Sequence, residues 1–327
     1  MKRAIILIFI SLFFAKVMAQ HYFIHPDIPV DSSYNVFNEL KKHKKNHPFI
    51  SISETKNSNR VIVKKNIIYE SYENRDLHLD VFQAFTENNI KTPVVILIHG
   101  GGWRSGNKDM DHHMAEIFAQ NGYSAICVEY RLSVEALYPA ALRDIKTAIR
   151  WTRANAKKYK FDKNKIALMG CSSGGQMVSL IGSINEYFPK YQTNSYKRYS
   201  DKVQAVIDFD GVLAFIHPES SEGIDKPGKP SAATLWFGKS YTEKPELWSE
   251  ASALTHVGKK SAPFLFINSA QPRFSAGQHD LMNILKSNGI YCEEHLIENS
   301  PHSFWLFHPW IDLAMIHTIN FLNKIFR

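Results

Sequence analysis

The sequence predicts an α/β fold, a mostly parallel central sheet with helices on both faces. Two observations predict it. Short continuous apolar runs recur along the chain, as strands buried on both faces require. Amphipathic stretches with apolar residues three and four apart lie between them, with no internal repeat. Composition agrees. The chain has 327 residues, 44% hydrophobic and 21% charged, with 16 Gly and 14 Pro. That is too apolar for a disordered chain, too poor in Gly and Pro for a collagen-like one, and long enough to bury a large core unaided.

The elements follow in order. Lys2 and Arg3 precede an apolar stretch from Ala4 to Ala15, interrupted only by Ser11 and closed by Lys16. Val17, Met18 and Ala19 then supply a cleavage site before Gln20. Residues 1–19 therefore read as a secretory signal peptide. The run is too short to span a hydrocarbon core of about 30 Å, so no stable membrane insertion is expected after cleavage. No cysteine follows the site, which disfavours a lipoprotein. A secreted or periplasmic protein is expected. Residues 20–60 are polar, rich in His and Lys and weakly periodic, and read as an N-terminal extension over the main domain, with no firm element assigned.

The main domain spans 61–327. Val61–Val63, Ile67–Tyr69 and Leu77–Phe82 alternate or cluster like antiparallel edge strands. Pro93–Ile98 is a continuous apolar run, the mark of a central strand. Ser124–Val128, Ile166–Met169, Val203–Ile207, Phe264–Ile267 and His295–Ile297 continue the series. Helices are expected at Leu142, Ile145, Ala148 and Ile149, at Met177, Leu180, Ile181 and Ile184, and over Asp280–Ser287, each with one apolar face. Residues 213–250 lack periodicity and are broken by Pro218, Pro227, Pro230 and Pro245, so they read as a loop-rich cap.

Charge and cysteine usage exclude several classes. The formal net charge is +8, concentrated at Lys41–Lys45 and Lys157–Lys160. Such runs are ordinarily solvated faces, with attraction of an anionic substrate or surface as the alternative. No nucleic-acid motif is present. Cys127, Cys171 and Cys292 form neither an even disulfide framework nor a metal spacing, so mostly buried thiols and no structural metal are expected.

Two motifs carry chemistry. Gly170-Cys171-Ser172-Ser173-Gly174-Gly175 lies between an apolar strand and the Met177 helix. A Gly-x-Ser-x-Gly in that context is a nucleophile elbow, a turn too tight for side chains at its flanks, which lifts the Ser172 hydroxyl clear of the sheet. His99-Gly100-Gly101-Gly102-Trp103 ends the Pro93–Ile98 strand. Consecutive glycines let backbone N–H groups face a site unobstructed, where they stabilise an oxygen that gains negative charge. A flexible turn is the plainer reading. It does not account for the position of this turn ahead of the elbow.

With these motifs, the stretch from His99 to Gly175 resembles the hormone-sensitive-lipase-like and feruloyl-esterase-like (BD-FAE-like) branch of the α/β-hydrolases. Tyr130-Arg131-Leu132-Ser133, Tyr138-Pro139-Ala140-Ala141-Leu142, Arg150-Trp151 and Asn155-Ala156 belong to the same series. Residues 251–257 and Ala262-Pro263-Phe264-Leu265 extend it, so the likeness covers roughly residues 60–325. It implies an α/β-hydrolase fold and ester hydrolysis through a serine triad without a cofactor. Many secreted bacterial members resemble deacetylases of plant cell-wall polysaccharides, so the expected substrate is a small ester or an esterified polysaccharide such as pectin or xylan. Carried over by position, the resemblance makes Ser172 the nucleophile and Gly101, Gly102 and Ser173 the oxyanion donors. It makes His302, in Asn299-Ser300-Pro301-His302-Ser303-Phe304, the base. His256 and His317 are expected to pack or face solvent, and His308 to neighbour a pocket.

The acid departs from the pattern. The family places an Asp just past the Phe264–Ile267 strand, where this chain has Asn268-Ser269-Ala270-Gln271-Pro272-Arg273. Asp210, at the end of the preceding strand, is the favoured acid, with Asp280, Asp208 and Glu219 as alternatives and a turn-initiating carboxylate as its plain structural role. Arg273 then stands where a catalytic Asp is expected. A guanidinium there suits a substrate carboxylate, as on a galacturonic acid unit, or a salt bridge to Asp210 or Glu219. Trp103, Trp236, Phe237, Tyr241, Trp248, Trp305 and Trp310 are candidates to stack on sugar faces, with core packing as the alternative. Trp103 and Arg273 are the expected substrate contacts. A non-catalytic binding protein and a peptidase acting on short peptides are the competing functions.

Overall fold

The computed structural model describes residues 28–84 and 90–326. The expected leader, residues 1–19, lies outside them. Among the described residues ten strands are formed: β1 (Ser51–Ile52), β2 (Val61–Tyr72), β3 (Arg75–Ala84), β4 (Thr92–Ile98), β5 (Ser124–Val128), β6 (Phe161–Cys171), β7 (Ala205–Phe209), β8 (Phe264–Ser269), β9 (Cys292–Ile297) and β10 (Phe307–His308). The α-helices are α1 (Val36–Lys44), α2 (His112–Gln120), α3 (Ala140–Ala154), α4 (Ala156–Tyr159), α5 (Ser173–Ile184), α6 (Ala232–Phe237), α7 (Pro245–Glu250), α8 (Gln278–Ser287) and α9 (Trp310–Phe326). Among the described residues, no helix is long and apolar enough to cross a membrane.

Eight strands form one sheet in the order β2-β3-β5-β4-β6-β7-β8-β9. The pairs β2–β3 and β3–β5 are antiparallel, and every pair from β5 to β9 is parallel. Strand β4 explains why its run is continuously apolar. Val94, Ile96 and Ile98 enter one core with Leu142 and Ile145 of α3 and Met177 and Leu180 of α5. Val95 and Leu97 enter the opposite core with Met114 and Phe118 of α2 and Phe321 and Leu322 of α9. Successive side chains point to opposite faces, so a strand covered on both sides has no polar position to spare.

The edges read differently. Val61–Val63 and Ile67–Tyr69 belong to one strand, β2, whose register shifts between Lys64 and Ile67. Asn66 sits there at φ 55°, and its N–H donates to Asp80 Oδ1 at 2.6 Å. The exposed Lys64 and Lys65 at this bulge blunt an edge that would otherwise invite strand pairing.

The extension is ordered where it is described. Asn35 caps α1, its side-chain oxygen accepting the Asn38 N–H at 2.9 Å, which satisfies one of the free first-turn amides. Beyond α1, β1 pairs with β10 in a small second sheet. Lys41, Lys42, Lys44 and Lys45 are exposed, as are Lys157, Lys158 and Lys160, so both basic runs are solvated faces.

Candidate active site

The turn from β6 into α5 holds Ser172 at φ 53° and ψ −118°, a strained conformation for a residue with a side chain. The glycines around it have a steric reason. A Cβ on Gly170 would lie 2.3 Å from the Gly174 carbonyl, and one on Gly174 would lie 2.0 Å from the Ile98 oxygen. The Ser172 N–H donates to the Phe209 carbonyl at 2.7 Å, tying the turn to the end of β7.

Asp210, one residue beyond β7, is itself at φ 53° and is buried. Its Oδ1 accepts the Ser269 N–H at 2.7 Å, and its Oδ2 lies 2.8 Å from His302 Nδ1. His302, in the loop after β9, places Nε2 2.8 Å from Ser172 Oγ. A carboxylate only accepts, so Nδ1 carries the proton and Nε2 is free to accept from the serine. The ring of Phe274 stacks on His302 at 3.3 Å, and Trp305 meets it edge-on at 5.2 Å.

The alternative acids are engaged elsewhere. Asp280 is exposed and bonds His217, and Glu219 accepts from Gly277 N–H. Asp208 lies beneath the elbow, accepting from Ser179 Oγ at 2.5 Å and Gly211 N–H at 2.7 Å. Burial pushes its carboxyl up to about 8.

The glycine loop after β4 bends through Gly101 at φ 125° and Gly102 at φ 60°. The N–H groups of Arg104 and Ser105 donate to the Gly101 carbonyl at 3.2 and 3.0 Å, curling the loop. The Ser173 N–H is in the first turn of α5 and has no acceptor within its own helix. His99 backs the loop as a neutral ring. It stacks on Tyr130, whose hydroxyl donates to the His99 carbonyl, and burial lowers its pKa to about 4. A cavity of about 630 Å³ reaches this loop at His99 and Gly106, but neither Ser172 nor His302 lines it.

Residues that sequence reasoning missed brace both loops. Asp31 pairs with Arg104, and Ser105 Oγ donates to the Asp31 carbonyl at 2.7 Å. On α1, the buried Glu39 accepts from Ser303 Oγ, next to His302. No local pattern announces these contacts, because each joins segments far apart in sequence.

Trp103 corrects an expectation. It is 4% exposed, donates Nε1–H to Gln176 Oε1 at 3.0 Å and stacks on Trp236 at 5.0 Å. Its face is covered, so it cannot be a sugar platform. Trp236, Phe237, Trp248, Trp305 and Trp310 are buried as well. The cap is held by its own aromatic core, in which Phe215, Trp236, Phe237 and Trp248 pack on one another. Tyr241 is partly exposed against Trp248. Arg273 is exposed. It does not bridge to Asp210 or Glu219, and its Nη1 donates to Ser221 Oγ at 3.3 Å.

The remaining histidines have other partners. His256 bonds the Glu250 carbonyl, His317 stacks on His295, and His308 bonds Asp312. Cys127 and Cys171 are buried free thiols, and Cys292 is a half-buried one. Asp80, Asp109 and His112 gather within ligand distance of one another. Lys108 Nζ bonds both carboxylates, so the chain supplies its own cation there.

An eight-stranded, mostly parallel sheet, with a serine at a strand-to-helix turn facing an imidazole from the loop after its last strand, defines an α/β-hydrolase. The BD-FAE family model matches residues 79–275, and the chain belongs to that family. Esterase LipC of Mycobacterium tuberculosis is 28% identical over 197 residues, covering 59% of this chain and 47% of LipC. The versiconal hemiacetal acetate esterase of Dothistroma septosporum is 25% identical, covering 71% of this chain and 72% of that protein. The chain spans about half the length of LipC and of the carboxylic ester hydrolase LipM. Among solved structures, a truncated carbohydrate esterase from gut microbiota superposes with a TM-score of 0.68 at 21% identity, covering 83% of this chain and 98% of that one. Thermogutta terrifontis esterase 2, phosphoramylated by tabun, superposes with a TM-score of 0.66 at 22% identity, covering 82% and 96%. These two likenesses establish the fold.

Proposed function

We propose that the chain is a serine esterase that hydrolyses carboxylic esters, with Ser172 as nucleophile, His302 as base and Asp210 as orienting acid. The observation that carries this reading is the unbroken relay from Ser172 Oγ to His302 Nε2, and from His302 Nδ1 to Asp210 Oδ2, with 2.8 Å at each step.

The chemistry follows from that relay. Oγ attacks the ester carbonyl carbon as its proton passes to Nε2, and the carbonyl electrons move onto oxygen. The backbone N–H groups of Gly101, Gly102 and Ser173 are the proposed donors to that oxyanion, each worth roughly 2.7–4 kcal/mol in such sites. Collapse breaks the bond to the alcohol, which leaves with the Nε2 proton. Water then repeats the sequence on the acyl-enzyme, releasing the acid and restoring the serine. Asp210 holds the ring in its productive tautomer and stabilises the transient imidazolium. No step calls for a cofactor.

The proposed substrates are acetyl, feruloyl or methyl esters on plant cell-wall polysaccharides such as pectin or xylan. The fold shared with a carbohydrate esterase and the similarity to an acetate esterase support this class. Export, to the medium or the periplasm, rests on the leader pattern of residues 1–19.

The test is hydrolysis of p-nitrophenyl acetate by protein starting at Gln20, beside its Ser172→Ala variant. Turnover and fluorophosphonate labelling that both vanish with Ser172 are expected. Activity that survives Ser172→Ala would sink the reading.

A further inference from the structure

Across the Phe274 ring from His302 stands a guanidinium that makes no ion pair among the described residues. Arg75, Arg104 and Arg131 each form ion pairs, with Glu129 and Glu135, with Asp31 and with Asp144. Arg273 forms none among the described residues. Its guanidinium carbon lies 4.0 Å over the Phe274 ring, and that ring stacks on His302 at 3.3 Å with 11° between the planes. Ser221 Oγ takes one of its N–H groups, leaving the others unclaimed by protein carboxylates.

We infer that Arg273, with Ser221 beside it, recognises a substrate carboxylate, and that the preferred substrate is an O-acyl ester of an acidic sugar chain, a uronic-acid oligosaccharide. The inference rests on the esterase reading and adds the charge of the polymer. Three features support it. The contact with the Phe274 ring restrains the position of the guanidinium, and its N–H groups form the fork that matches a carboxylate. The exposed position lets a polymer reach it without a buried charge pair first being broken. The ring stack from Arg273 through Phe274 to His302 puts the carboxylate contact next to the ester chemistry. A uronate beside the acylated unit would then fix the position of the ester against Ser172.

Glu222 is the acidic group acting on Arg273 from the same loop as Ser221. Burial raises its carboxyl, while Arg273 and His302 draw it down. It makes no direct ion pair with Arg273 among the described residues, so the guanidinium N–H groups are not held by its carboxylate, although its charge acts on them from a distance.

The experiment uses the Ser172→Ala protein, which cannot turn substrate over, titrated with oligogalacturonate and with a neutral xylo-oligosaccharide of equal length. Binding of the acidic chain about tenfold tighter is expected, weakening as salt rises. Arg273→Gln in the same background should abolish the preference, and Arg273→Lys should restore part of it. With Ser172 intact, the ratio of kcat/KM for acetylated acidic over acetylated neutral oligosaccharide should fall about tenfold in Arg273→Gln. Equal binding of the two chains, or a ratio that Arg273→Gln leaves unchanged, overturns the inference. Failure of the esterase reading shows separately, as no p-nitrophenyl acetate turnover by the protein with Ser172 intact, and it takes the substrate claim with it.

Discussion

Ser303 donates its hydroxyl to the carboxylate of Glu39, joining the residue after His302 to a helix near the start of the described chain. His43 Nε2 lies 3.2 Å from the same carboxylate oxygen. A few residues earlier, Asp31 holds Arg104 and Ser105 of the glycine loop. The extension thus grips the two loops that bring the proposed base and the proposed oxyanion donors to Ser172. It is a working part of the site and not a tail laid over it.

Replacing Glu39 with Ala removes the charged acceptor of the buried Ser303 hydroxyl and leaves it only the neighbouring His43 Nε2 at 3.2 Å among the described residues. A hydrogen bond to a charged group is worth about 1.5–3 kcal/mol, so Tm should fall by several degrees, with kcat reduced more than KM. The Glu39 carboxyl is held below its ordinary value, against its own burial, by Ser303 and Lys42. Its contribution is therefore present above the unfolded value near 4.5 and lost as pH falls through the lower folded value. Thermal melts of both proteins from pH 7 to 3 should converge at the acid end, and melts that stay a constant distance apart would contradict the assignment.

Asp210→Asn removes the acceptor that selects the His302 tautomer and should lower kcat by about 10⁴ at little cost in fold. Asp280→Asn, at an exposed position bonded to His217, should leave kcat within about twofold, in line with surface substitutions generally. Comparing the two by esterase kinetics separates the acid at the end of β7 from its rival in α8. Equal losses would reopen the choice.

Gly174→Ala should abolish folding of the elbow. The added methyl would meet the Ile98 carbonyl oxygen of β4 at 2.0 Å and the His99 carbonyl oxygen at 2.7 Å, and both are backbone atoms that cannot turn aside. The expected readout is loss of soluble protein, or of fluorophosphonate labelling in whatever remains soluble.

Asp111 gives a stability prediction with a defined sign. Its Oδ2 is buried without a hydrogen-bond partner among the described residues, and desolvation raises its pKa from 3.8 to about 8. The folded chain then binds a proton that the unfolded chain has released between those values, so stability falls as pH rises through that window. Asp111→Asn removes the penalty. The variant should exceed the parent in Tm by a margin that widens from pH 4 to pH 8, and a margin that shrinks would refute the assignment.

The central sheet is legible because β4 is covered on both faces, which leaves its run no polar position to hide it. The elbow is legible because Gly170 and Gly174 answer a steric demand that few other turns make. Asp210 is readable only as a carboxylate at a strand end, since the contacts that orient it, Ser269 N–H and His302 Nδ1, come from β8 and from the loop after β9. Helix α1 is not readable. Its sequence is rich in Lys and poor in apolar residues, and the contact that secures it, Glu39 to Ser303, crosses 264 positions. The cap aromatics are ambiguous for a related reason. A tryptophan serves as platform or core according to what lies opposite, and opposite Trp103 lies Trp236.

In the proposed mechanism the carboxylate at the end of β7 lets Ser172, Asp210 and His302 carry the proton relay, and the turn from Gln271 to Gly277 is relieved of carrying any of it. With Arg273 as the inferred substrate contact, selectivity is thereby decoupled from reactivity at one edge of the sheet. If Arg273 binds a substrate carboxylate as inferred, position 273 is a socket that can be refitted for polymers of different charge while the proposed acyl-transfer residues stay as they are.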